Sequence, residues 1–260
     1  MELTIREKAW ALVCGVHSDP ERSERICRFV RDGIPYCLDE WDVKPAEVFR
    51  KMGGMCAGKT LLAAELHRAV GILVRFRVIK IMGEEGLFAF VTHQLEEGAC
   101  LPLPLEKTKR MINNILLLPP DRDHILLEVL LNGQRVSLDL ARDTKLDHGM
   151  RVLGLWQERK VVSEEGTFDS LDQWLENRMQ RRAILQDREL FFKIFNQQLE
   201  KIRLAGESGL QGKGSEHKQK IYGVHYKQRD IICYFDRWVE TILSKTYFFI
   251  NRYMNVPNHG

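Results

Sequence analysis

Apolar residues recur every three to four positions over much of the first part of the chain, which is typical of amphipathic helices. This spacing predicts helices over residues 3–16, 21–31 and 46–52, and a fourth helix that begins near Cys56 and ends before Gly71. The apolar positions of the fourth helix are Leu61, Leu62, Leu66, Ala69 and Val70. We therefore expect this helix to bury one face against the rest of the protein.

Alternating and β-branched residues predict strands in the middle of the chain. Residues 74–81 show the clearest alternation, and residues 87–92 indicate a second strand. Residues 125–131 and 134–140 flank Asn132-Gly133, the residue pair that type I′ hairpin turns prefer. We therefore expect an antiparallel hairpin whose two-residue turn sets the pairing of its strands.

After this hairpin the apolar positions return to helical spacing. They predict a long helix over residues 167–204 and a last helix over residues 228–254, which carries an aromatic stripe. A Gly/Ser/Lys-rich linker over residues 206–220 joins them. The chain is thus predicted to have an α+β domain over residues 1–154 and a helical C-terminal extension over residues 155–260.

The composition excludes several functional classes. In 260 residues, 44% apolar and 29% charged residues are ordinary for a globular protein, and a net charge of +3 is too small to indicate nucleic-acid binding. The six cysteines form no C-x-x-C pair, so we expect neither a metal site nor a disulfide framework. Neither a signal peptide nor a membrane span is indicated, and we expect a cytoplasmic protein.

The first chemically informative residue is Cys56. It follows Gly53-Gly54 and stands where the fourth helix is predicted to begin. Unpaired N–H groups and the helix dipole favour negative charge there, so a thiol at this point ionises more easily and becomes a nucleophile. The alternative interpretation is a small buried hydrophobic residue, which is what most free cysteines are.

A cysteine nucleophile needs a base, and the base needs an orienting group. The predicted hairpin supplies both, because Ile125 faces Leu140 in its register and His124 then lies within about one residue of Asp139. Neighbouring positions on adjacent strands are ~5 Å apart. The imidazole could therefore bond the carboxylate through one ring nitrogen and leave the other for Cys56.

Three nearby residues are weaker candidates. Asp143 could replace Asp139, but it lies outside the hairpin register. His93 follows a predicted strand without an acid placed beside it by a turn, so a structural role is favoured. Lys59 stands one turn after the cysteine and is expected to be solvated.

The order of these motifs resembles the transglutaminase-like superfamily, a group of papain-like cysteine enzymes. The resemblance covers about residues 20–145, and the joint order of cysteine, histidine and aspartate carries it. The matching segments are Gly54-Met55-Cys56, residues 68–75, residues 124–129 and residues 136–139, with residues 29–36 similar to the lead-in. The residues that follow the histidine and the aspartate differ from those of many members, so substrate preference is not carried over.

The resemblance implies an antiparallel sheet packed on the cysteine helix and a Cys56–His124–Asp139 triad that works without metal or cofactor. The thiolate would attack an amide or thioester carbonyl and form an acyl-enzyme thioester, which water (protease or amidase) or an amine (acyltransferase) then releases. The Cys56 backbone N–H is a natural oxyanion donor, and Tyr36 or Trp41 is a candidate for the second. Both aromatic residues are also common as anchors of a core or loop.

The expected substrate is a peptide, a protein or a carrier-bound acyl group. The alternative is a catalytically silent scaffold whose C-terminal helices, residues 167–254, bind a protein partner or a second copy of the chain. The same helices could also lie over the cleft as a lid.

Overall fold

The computed structural model describes residues 3–98, 103–119, 121–180 and 185–210, and within these ranges the protein is α+β, as predicted. The helices are α1 Ile5–Leu12, α2 Asp19–Arg28, α3 Pro45–Lys51, α4 Cys56–Ala69, α5 Glu85–Glu96, α6 Leu105–Leu116, α7 Thr144–Val152, α8 Asp172–Gln180 and α9 Arg188–Leu210. The strands are β1 Val74–Met82, β2 Arg122–Leu131, β3 Gln134–Leu138 and β4 Lys160–Phe168. They form one antiparallel sheet of order β3-β2-β1-β4.

The start of α4 depends on close packing with α3. The helix begins at Cys56, as predicted. The backbone turn before it is made by Met52, whose φ is 51°, and not by the glycine pair. A Cβ atom on Gly54 or Gly58 would lie 3.1 or 2.8 Å from Val48, so these glycines allow the two helices to approach closely. The glycines around the cysteine thus serve packing more than turning.

The hairpin forms with the predicted turn and register. Asn132 and Gly133 have φ values of 50° and 79°, which a type I′ turn requires. Glu128 pairs with Ser137, and the serine hydroxyl donates a hydrogen bond of 3.2 Å to the carboxylate. Asp139 follows β3 directly, at the end of the hairpin where the site lies.

The prediction of a strand over residues 87–92 is wrong, because these residues lie in α5. Leu87, Phe90, Val91 and Leu95 are buried and recur at helical spacing. A short apolar run fits a buried helix and a buried strand equally well by periodicity. Here the buried face of the helix packs against residues of α6, α7 and α9.

The prediction of one helix over residues 167–204 is also wrong. Residues 160–168 form β4, which pairs with β1 at the edge of the sheet, and the helical part is divided into α8 and α9. The adjacent Val161 and Val162 are a strand signal, but the polar run that follows them hides it. Helix α9 continues to Leu210, and the rest of the predicted linker and the last helix lie outside the described residues.

The core consists of two large hydrophobic clusters and one small cluster. The first packs α1, α2 and α4 on the sheet, and its largest buried residues are Ile26, Leu62, Leu66, Phe76, Ile125 and Leu127. The second joins α5, α6, α7 and α9, with Met111, Leu146, Phe191 and Phe195 at its centre. The small cluster is Met55, Cys56 and Ala141, against which Tyr36 and Trp41 pack. Across the described ranges, no helix combines the length and apolar character that crossing a membrane requires.

Helices α7 and α9 cross at two glycines. A Cβ atom on Gly149 would lie 1.8 Å from the carbonyl oxygen of Ile202, and one on Gly206 would lie 2.3 Å from that of Lys145. Neither carbonyl is on a flexible side chain, so the helices must separate to accept a methyl group.

We expect Gly149→Ala to lower the free energy of unfolding by about 3 kcal/mol, because overpacking at a backbone contact forces the two helices apart. Urea denaturation measures the change. The matched control on the same helix is Lys145→Ala, which removes only an exposed ion pair with Glu207 and should leave the free energy of unfolding nearly unchanged. Equal costs for the two variants would contradict this description of the crossing.

Candidate functional site

Cys56 is the first residue of α4 and is almost fully buried, with 6% of its surface exposed. The N-cap residue Met55 accepts the first intrahelical bond, from Lys59 N to its carbonyl oxygen at 3.0 Å. No side chain within the described ranges caps the helix start. The N–H groups of the first turn, which have no acceptor inside a helix, therefore remain available beside the thiol.

His124 lies on β2 with only 3% of its surface exposed. Its Nε2 atom is 3.0 Å from Oδ2 of Asp139, and Cys56 is the other side chain that interacts with the ring. Burial opposes a charge on the ring, but the contacts with Asp139 and Cys56 outweigh it and raise the pKa of His124 to about 9. The structure thus brings the three predicted residues together in the predicted order.

Asp139 is held by two hydrogen-bond donors besides its contact with His124. Its Oδ1 accepts a hydrogen bond of 3.0 Å from the backbone N–H of Ala141, and its Oδ2 accepts one of 2.8 Å from Arg159. Burial works against the charge of this carboxylate, but His124, Arg159 and the backbone N–H together hold its pKa below the usual value. The carboxylate is therefore ionised whenever the imidazole needs a counter-charge.

The two alternative residues do not join this group. Asp143 is the N-cap of α7, where its Oδ1 accepts from Leu146 N at 2.9 Å, and its Oδ2 accepts from Arg203 at 2.8 and 2.9 Å. His93 lies on α5 and is not among the residues that line the cavity at Cys56. Asp143 thus has a structural role, and Asp139 is the acid that reaches His124.

The expectation that Lys59 is solvated is wrong. The side chain is fully buried, and its Nζ donates hydrogen bonds to the carbonyl oxygens of Ala141 at 2.9 Å and Arg31 at 3.1 Å. Burial lowers its pKa to about 8. Since Ala141 also binds Asp139, Lys59 connects the cysteine helix to the loop that carries the acid.

Both predicted oxyanion candidates, Tyr36 and Trp41, line the cavity at Cys56. The Tyr36 segment runs beside the approach to α4, because Tyr36 pairs with Gly54 in a parallel bridge. Burial raises the pKa of the Tyr36 phenol, so the hydroxyl stays protonated and can donate a hydrogen bond. The Trp41 ring is held edge-on against Trp174, at 5.8 Å between ring centroids.

The site opens into a cavity of about 450 Å³ between α4, the sheet and α9. Its lining residues that were not predicted from the sequence include Glu84, Phe88, Arg122 and Arg159. Arg159 binds Glu84 at 2.8 Å as well as Asp139. It precedes β4, so only the pairing of that strand with β1 brings it here, and no local motif marks it.

A scan against protein-family models, a search of curated proteins and a search of solved structures each find no match to this chain. Function must therefore be inferred from the geometry of the site. Within the described ranges, no group of three or more His, Cys, Asp and Glu side chains is arranged to hold a metal ion.

We expect the imidazole of His124 to titrate near pH 9 in the wild type and at least about one unit lower in Asp139→Asn, because the variant removes the negative charge that stabilises the imidazolium. NMR of ring-labelled histidine measures both midpoints. His67 is the internal control, since its pKa is lowered by burial to about 4 and its partners, Ser23 and Ala63, do not change. A wild-type midpoint at the ordinary value of 6.5, or one that Asp139→Asn leaves in place, would contradict the assigned contact.

Proposed function

We propose that this protein is a cysteine-nucleophile enzyme of the transglutaminase-like type, which acts on an amide or thioester carbonyl through an acyl-enzyme thioester. The observation that carries the proposal is the contact of Cys56, His124 and Asp139 at the start of α4, within one cavity. The antiparallel sheet packed on α4 supports a transglutaminase-like core. Along the chain, the cysteine at the helix start, the histidine and the aspartate follow one another in the order that the resemblance implies.

In the first half of the reaction, the proton of the Cys56 thiol resides on His124, whose pKa of about 9 keeps the ring protonated near neutral pH, and the thiolate attacks the carbonyl carbon. The negative charge that develops on the substrate oxygen meets the free N–H groups at the start of α4. The Tyr36 hydroxyl and the Trp41 N–H, which both belong to residues that line the cavity, are the two candidates for the second donor. His124 then gives its proton to the leaving amine or thiol as the carbon–nitrogen or carbon–sulfur bond breaks.

In the second half, His124 takes a proton from water or from an amine, which attacks the thioester and releases Cys56. Water gives a carboxylic acid, as in a protease or amidase, and an amine gives a new amide, as in an acyltransferase. Asp139 keeps the ring in place and stabilises the imidazolium in both halves. These steps use no metal or cofactor.

The cavity is of a size that suits a side chain, a short peptide segment or a carrier-bound acyl group, at about 450 Å³. We infer a cytoplasmic setting as part of the same proposal. The four cysteines in the described ranges, Cys14, Cys27, Cys37 and Cys56, are all free thiols, which persist in reducing compartments.

We expect the wild-type protein to be acylated by S-phenyl thioacetate at Cys56 and to release thiophenol over repeated turnovers. Intact-mass spectrometry with peptide mapping locates the acetyl group, and absorbance follows the thiophenol. Adding methylamine then separates hydrolysis from transfer, because acetic acid and N-methylacetamide are distinct products. The fraction of amide among the products decides between a hydrolase and an acyltransferase.

The Cys56→Ala variant should fall to the uncatalysed rate, since it lacks the nucleophile. The control is Cys27→Ala, which removes a partly buried thiol outside the cavity and should keep the wild-type rate. Full turnover by Cys56→Ala, or no acylation of the wild type by this activated thioester, would contradict the proposed chemistry. The second outcome would favour a catalytically silent scaffold.

A further inference from the structure

Arg122 differs from the other cations of the cavity because no carboxylate of the described residues lies within hydrogen-bonding distance of its guanidinium. Lys80, Arg159, Arg178 and Arg188 each form an ion pair with a carboxylate at 3.2 Å or less. Glu84 has the carboxylate closest to Arg122, and the Nε atom of Arg122 is 4.0 Å from its Oε2 atom, which is beyond hydrogen-bonding range; Glu85 and Asp121 act on the charge from farther away. Among the described residues, no acceptor therefore satisfies the N–H groups of this guanidinium.

The carboxylate of Glu84 is already used by another residue. Its Oε1 accepts a hydrogen bond of 2.8 Å from Arg159, which in turn binds Asp139. Burial opposes the charge of Glu84, but Arg159 and Arg122 outweigh it and lower its pKa. Glu84 thus gives Arg122 some electrostatic support without occupying its donors.

The position of Arg122 relates it directly to the triad. Arg122 and His124 stand two residues apart on β2, so both side chains leave the same face of the sheet, roughly 7 Å apart along the strand. Both line the cavity. The guanidinium carbon of Arg122 lies 3.7 Å from the centre of the Phe88 ring, and this cation–π contact helps to hold the guanidinium in place.

A guanidinium in this setting is prepared to bind an anion. Only 22% of the Arg122 side chain is exposed, and burial lowers its pKa, although an arginine remains charged at any physiological pH. The donors of Arg122 face the cavity and are not among its fully buried atoms, so an oxyanion that enters the cavity can accept from them directly. The planar fork of donors matches the two oxygens of a carboxylate.

We propose that Arg122 is the carboxylate-binding subsite of this enzyme, and that the acyl substrate carries a carboxylate a short chain away from the carbonyl that Cys56 attacks. This inference rests on the proposed function and names its substrate class. A singly charged carboxylate suits the site better than a phosphate, because Glu84, Asp121 and Asp123 also line the cavity and repel a doubly charged group more strongly.

The test uses S-phenyl thioesters of succinic, glutaric and adipic acid, each compared with the methyl ester of its free carboxyl group. Thiophenol release gives kcat/KM for each probe. For at least one chain length we expect the wild type to favour the acid over its methyl ester by about tenfold or more, a ratio that corresponds to about 1.4 kcal/mol. Arg122→Gln should bring that ratio to one or below, and Arg122→Lys should restore part of it, since the charge returns without the fork.

The matched control is Arg135→Gln, which removes an exposed arginine of β3 outside the cavity and should keep the wild-type ratio. Ratios near one for all three chain lengths in the wild type would overturn the inference without any variant. A preference that survives in Arg122→Gln would overturn it as well. In both cases the methyl esters still acylate Cys56, whereas failure of every probe to acylate Cys56 would overturn the proposed function itself.

Discussion

The contact between the buried His124 and the partly exposed Asp139 sets the requirements for the rest of the site. An imidazolium with 3% of its surface exposed is stable only if a negative group stands beside it. Asp139, which directly follows the second strand of the same hairpin, provides that charge at 3.0 Å. The same pairing holds the His124 ring beside Cys56. Any reaction of the thiol that uses this base therefore depends on the geometry of the hairpin.

Several buried polar bonds keep this contact in place. Lys59 joins α4 to the loop after Asp139 by its bond to the Ala141 carbonyl. Arg159, which directly precedes β4, binds the carboxylate and links it to Glu84, the N-cap residue of α5. Each partner is itself buried or ion-paired, and the loss of one would leave a charge without compensation. The site is therefore a network that spans the sheet, α4 and the strand that was not predicted.

Helix α9 is part of the same framework. Arg203, which is 6% exposed, donates to the carboxylate of Asp143 and to the carbonyl oxygen of Tyr36. Tyr36 in turn donates its backbone N–H to Asp143 at 3.2 Å. The position of the oxyanion candidate thus depends on a helix more than 160 residues later in the chain. Residues 188–210 shape the cavity, besides packing in the core.

The parts of the site that were predicted depend on local rules. A two-residue Asn-Gly turn sets a register, and this placed His124 near Asp139; the apolar spacing after Cys56 marked the start of its helix. Arg159, Arg122 and the buried state of Lys59 could not be predicted, because each depends on pairing between distant elements. Residues 87–92 show the same limit, since periodicity alone does not separate a short buried helix from a strand.

The most direct measurement is the alkylation of Cys56 and Cys14 by iodoacetamide at pH 6, mapped by mass spectrometry in the wild type and in His124→Ala. Cys14 is exposed and Cys56 is buried, so access alone favours Cys14. Activation by His124 predicts that Cys56 reacts several times faster in the wild type and that the order reverses in the variant. Faster labelling of Cys14 in both proteins would show that Cys56 is an inert buried thiol, and would contradict the account.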